Sequence, residues 1–85
     1  MADLPSHEQL EAALAAADTA HREYERSALR GVADEGWPGF LAAYVLGRLG
    51  DFAPASRLAG LLEEVEMGAN WPAAAADHVL TKLRS

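Results

Sequence analysis

The chain has 85 residues, with thirteen acidic against seven basic side chains and a formal charge of −6. That balance argues against nucleic acid or an anionic membrane surface as partner. With no cysteine, disulfides, thiolate metal sites and cysteine nucleophiles are excluded together.

A chain this short makes one domain, near the size at which a single core is barely sufficient, so self-association is an expected source of further burial. Half the residues are apolar, but many are alanine, which contributes little area each. Leu, Val, Phe, Tyr and Trp must supply the core. The opening MADLPSHEQLEAAL has no basic n-region and no apolar run of signal-peptide length, which predicts a cytoplasmic protein.

Four helices are expected, over residues 7–30, 38–49, 54–67 and 72–84. Ser6 and Gln9 form a capping box at the first, each side chain able to meet the other's backbone N–H. Leu10, Leu14, Ala17, His21, Tyr24 and Ala28 then recur at alternating spacings of four and three, a heptad-like seam along one face. Gly31 is a natural stop. In the second helix Phe40, Leu41, Tyr44, Val45, Leu46 and Leu49 leave Arg48 as the single charge. A helix so poor in polar surface is central in its domain or lies in an interface. Gly50 and Asp51 end it, and Pro54 starts the third helix. There Leu58, Leu61, Leu62 and Val65 form an inward stripe, with Gly68 as the expected stop. The fourth buries Ala76, Val79, Leu80 and Leu83, with Lys82 and Arg84 placed to complement its C-terminal dipole.

One segment is used twice. WPGFLAAYVLGRL from Trp37 and WPAAAADHVLTKL from Trp71 align at an offset of 34 residues with six identities. In each, Pro falls at the first helical position, where its missing N–H costs nothing, and the preceding Trp is held at a corner. The expected architecture is therefore all-α, two related helical hairpins made of helices one with two and three with four. The period equals that of tetratricopeptide repeats, but the small and aromatic signature positions of that family are absent.

From Ala20 to Leu46 the chain resembles an uncharacterised group of short helical bacterial proteins. The residues that carry the resemblance are His21, Tyr24, Glu25, Gly31, Val32, Asp34, Trp37, Pro38, Phe40, Ala42 and Tyr44. They form a His-x-x-Tyr-Glu helix, then Gly-Val, an acidic turn, Trp-Pro and an aromatic-Ala-x-Tyr helix. Phe40 and Leu41 stand where Trp or Tyr would be usual. The resemblance covers about a third of the chain and implies a helical domain with no activity attached.

His21 is the candidate for chemistry, because every other seam residue is apolar or aromatic. It reads as a packing histidine bonded to Tyr44 or a carboxylate, or as a ligand. Asp18 and Glu25 lie on the same side at i−3 and i+4, so Asp18, His21 and Glu25 are the candidate metal residues. Only half of a di-iron carboxylate–histidine pattern is present, however, because Asp77 and His78 are adjacent and diverge. His78 matches Tyr44 in the repeat, so a cleft between hairpins would gather His21, Tyr44 and His78 into a small-ligand or acid–base site. Ser6, Ser27, Ser56 and Ser85 lie in no nucleophile elbow, and no glycine-rich phosphate loop occurs. Ser56-Arg57-Leu58 resembles the prosthetic-group helix of acyl carrier proteins, but Ala55 replaces the acid that should precede the serine. The preferred expectation is a non-enzymatic, homodimeric protein–protein interaction module without cofactor. Its surface would comprise Trp37, Phe40, Tyr44, Arg48 and Trp71. The alternative is a small enzyme or ligand-binding protein using the histidine cleft.

Overall fold

The computed structural model describes residues 3–28, 36–66 and 68–84. It contains α1 (His7–Ser27), α2 (Trp37–Leu49), α3 (Ala55–Glu63) and α4 (Trp71–Arg84), and no strand among the described residues. The Ser6–Gln9 capping box forms in both directions, at 2.9 and 3.1 Å. Along the α1 seam Leu10, Leu14, Ala17 and His21 are buried, joined by Ala13. Tyr24 and Ala28 are exposed, so the seam leaves the core one turn after His21. The helix closes at Ser27, where the Ala28 N–H donates to the Tyr24 carbonyl. The expected stop at Gly31 lies outside the described residues.

The nonpolar character of α2 is explained by its neighbours, since it packs against both α1 and α3. Pro38, Leu41, Ala42, Val45 and Leu46 are its buried face. Gly50 ends it with φ 94° and ψ 165°, a region essentially closed to residues with a Cβ. Its N–H donates to the Leu46 carbonyl, and the Phe52 N–H then donates back to the Gly50 carbonyl. That sharp reversal drives Phe52 and Ala53 into the core. Nothing periodic marks these two residues in the sequence, because they sit in a connector.

The third helix is shorter than expected. It begins at Ala55 with Pro54 as its N-cap and ends at Glu63, well before Gly68. Beyond its end the Trp71 indole N–H donates to the Val65 carbonyl at 3.3 Å, a carbonyl that a helix ending near residue 67 would leave without an intrahelical partner. Val65 remains packed on the core beyond the helix end. In α4, Trp71, Ala75, Ala76, Val79 and Leu80 are buried, and Lys82 and Arg84 occupy the last turn.

The helices form a closed ring: α1 packs on α2, α2 on α3, α3 on α4, and α4 back on α1. The α2–α3 seam is comparable to α1–α2, and α3–α4 is the smallest, so the ring does not divide into two hairpins. Positions paired at the 34-residue offset nevertheless share burial. Ala42 and Ala76, Val45 and Val79, and Leu46 and Leu80 are all in the core. The backbones of α2 and α4 stand across the ring and do not approach. Their leading indoles bridge it, with Trp37 and Trp71 edge to face at 6.1 Å between centroids.

The ring covers most of the apolar surface that seemed in excess from the sequence. Among the described residues only Leu4 and Tyr24 are large hydrophobics classed as exposed. No helix among them is long and apolar enough to cross a membrane.

Candidate functional site

Three side chains from the resemblance segment converge where the last turns of α1 meet the start of α2. His21, 6% exposed, lies edge-on to Phe40 at 5.0 Å and 6.3 Å from Tyr24. Tyr24 stacks on Phe40 at 5.4 Å with 25° between the rings. The helical phase explains the grouping. His21 and Tyr24 are i,i+3 neighbours on α1, and Phe40 lies one turn into α2, at the edge of its buried face. The His21 Nδ1 is 3.8 Å from Glu25 Oε1, a carboxylate of the kind the sequence offered as its partner. No buried side-chain nitrogen or oxygen among the described residues lacks a partner.

The other two members of the expected cleft have different company. The Tyr44 hydroxyl accepts from the Arg48 guanidinium at 3.3 Å, one turn along α2. His78 Nε2 meets Glu64 Oε1 at 2.7 Å, linking α4 to the end of α3. His21, Tyr44 and His78 thus serve three separate contacts. Asp18 pairs with Arg22 at 2.9 Å. Among the described residues no group of three His, Cys, Asp or Glu side chains is arranged to hold a metal ion. Beside the Asp18–Arg22 pair, a depression of about 480 Å³ is bounded by Gly68, Ala69, Trp71 and Pro72. It sets Asp18 near the amino end of α4, where a carboxylate complements the helix dipole.

The expected interaction residues divide between core and surface. Trp71 is 3% exposed and its N–H is satisfied; it belongs to the core. Trp37, Phe40 and Tyr44 are half-buried, and Arg48 is exposed. At 100° per residue these four fall within one narrow stripe of α2, beside its buried face. The opposite flank of the outward surface is Gly39, Ala43 and Gly47, all exposed. A Cβ built on Gly39 or Gly47 meets nothing within 4 Å. The outside of α2 is therefore a ridge of aromatic edges beside a floor of small residues, with one positive charge and no carboxylate. Tyr24 extends the ridge across onto α1 through its stack on Phe40. Tyr24 was legible in the sequence only as a seam residue; its exposure follows from where α1 outruns the core.

No known protein family, curated protein or solved structure matches the chain.

Proposed function

We propose that this protein is a non-enzymatic helical interaction module of the cytoplasm, homodimeric, that docks through the outward face of α2. One observation carries the reading: Phe40 and Tyr44, ending on Arg48, lie on α2, which alone of the four described helices has no acidic residue, and Tyr24 extends their ridge from α1. Partly exposed aromatics with an arginine are the side chains that dominate binding energy at interfaces, and depletion of charge marks the centre of such surfaces. The small-ligand alternative depends on His21, Tyr44 and His78 sharing a cleft, and each is engaged with a different neighbour.

Ala43→Glu tests the reading, because Ala43 is exposed and a carboxylate there charges the face without entering the core. Sedimentation equilibrium should give a mass above the monomer for the wild type and the monomer mass for the variant, with melting temperature little changed. An assembly that survives Ala43→Glu would place the interface on another face. A wild type that stays monomeric at millimolar concentration would remove the homodimer.

A further inference from the structure

Where the segment before α1, the turn between α2 and α3, and the end of α4 come together, the surface opens into a groove of about 380 Å³. We propose that this groove binds a free apolar amino acid of the leucine type. Arg57 receives its carboxylate and Asp3 its ammonium, while Leu4, Phe52, Pro54 and Leu83 surround its side chain.

Shape and lining set the class of ligand. Small-molecule sites run from about 300 to 1,000 Å³ and are mostly apolar, with a few polar groups that fix orientation. The reversal at Gly50 places Phe52, 2% exposed, at the base of the groove. Pro54, the N-cap of α3, and the half-buried Leu83 of α4 add apolar wall. Leu4, 37% exposed, borders the same space, so a ligand seated there removes apolar surface from water. Asp3 and Arg57 are the only polar side chains in the lining among the described residues. A polar ligand side chain would find no partner beyond them, which selects an apolar one.

Charge sets the ends. Arg57 donates to the Lys82 carbonyl across a long 3.4 Å bond, and the guanidinium carries five N–H donors, enough to take a carboxylate as well. Asp3 brings the opposite sign to the same groove. A simple carboxylate would suit Arg57 and be repelled by Asp3, and a simple amine would meet the reverse. A zwitterion is attracted by both. The surroundings agree: Arg57 lies in the first turn of α3 beside Lys82 and Arg84 in the last turn of α4, whereas Glu63 and Glu64 stand at the far end of α3. The repulsion that a chain of charge −6 exerts on a carboxylate is therefore offset locally.

Amide chemical-shift titration of the full chain tests the site, with circular dichroism confirming the fold of each variant. Three probes are compared: L-leucine, isocaproate, which lacks the ammonium, and isoamylamine, which lacks the carboxylate. Millimolar leucine should give saturable shifts centred on Ala53, Arg57 and Leu83, and the other two should bind at least about tenfold more weakly. Arg57→Gln and Asp3→Asn should each weaken leucine by a similar factor. Asp77→Asn removes an exposed acid that does not line the groove and should leave the affinity unchanged. Absence of a saturable response to leucine, or shifts centred elsewhere, would overturn the site. Isocaproate binding as tightly as leucine would overturn the amino-acid assignment, and so would a leucine affinity that Arg57→Gln does not lower.

Discussion

The two tryptophans begin matching segments, yet their surroundings give them unequal weight. Trp71 is almost wholly enclosed and its indole N–H holds the Val65 carbonyl, whereas Trp37 keeps part of its ring in solvent. Trp71→Ala should therefore cost about 3–5 kcal/mol, the range for removing a buried aromatic side chain. Trp37→Ala should cost clearly less. Trp71→Phe isolates the polar part, since it keeps most of the packing and leaves the carbonyl without its donor, at a cost of about 1–3 kcal/mol. Urea denaturation of the three variants gives these differences directly. Equal losses for Trp37→Ala and Trp71→Ala would show that exposure is not what separates them. Gly50 makes a sharper single-residue case. At φ 94° a Cβ is strained, so Gly50→Ala should destabilise by about 1–3 kcal/mol.

At the scale of the element, α2 and α3 carry glycines that the monomer does not need. Gly47 and Gly60 lie within helices, and an added Cβ at either meets nothing. Gly47→Ala and Gly60→Ala should each stabilise the chain by about 0.4–1 kcal/mol, read as a rise in thermal midpoint. If Gly47 also lies in the proposed α2 docking face, its substitution should raise the melting temperature of dilute protein while changing association at high concentration. Gly60, on α3, should do only the first. What could be read from the sequence follows the same division between local and distant causes. The Ser6–Gln9 box, the α1 seam as far as His21 and the α2 stop at Gly50 depend on neighbours a few residues away, and were legible. No glycine or proline marks Glu63 as the last residue of α3, and the burial of Phe52 depends on a reversal in a connector without periodicity. The contacts of His21 with Phe40 and of His78 with Glu64 depend on how the ring closes, which spacing along the chain does not encode.

For the whole molecule, the ring has one weak joint. The α3–α4 seam is the smallest, and α3, of nine residues, has no side-chain N-cap bond. Across the joint run the His78–Glu64 contact and a long 3.4 Å bond from Arg57 to the Lys82 carbonyl. Partly exposed polar contacts of this kind contribute at most about 1 kcal/mol, so this joint should open before the rest. Native-state hydrogen exchange is expected to show α3 amides exchanging through a partial opening, while the buried amides of α1 around Leu10 and Leu14 exchange only with global unfolding. Equal protection in both helices would mean that the ring opens as one unit. Among the described residues six of the eighteen buried hydrophobics are alanine; stability rests on the few large side chains, and Leu14→Ala or Leu62→Ala should cost about 2–5 kcal/mol each.

The indole bridge also gives the molecule its own reporter. Trp37 and Trp71 are the only tryptophans, and they meet at the leading ends of α2 and α4 across the ring. Intrinsic fluorescence therefore samples one junction and not the average of the structure. Rings edge to face at 6.1 Å are close enough for their excited states to couple, adding an optical signature that vanishes when the junction parts. Far-UV ellipticity, by contrast, counts helix everywhere. Heated or titrated with denaturant, the protein would reveal from the gap between those two signals whether its ring comes apart at the tryptophans or somewhere else.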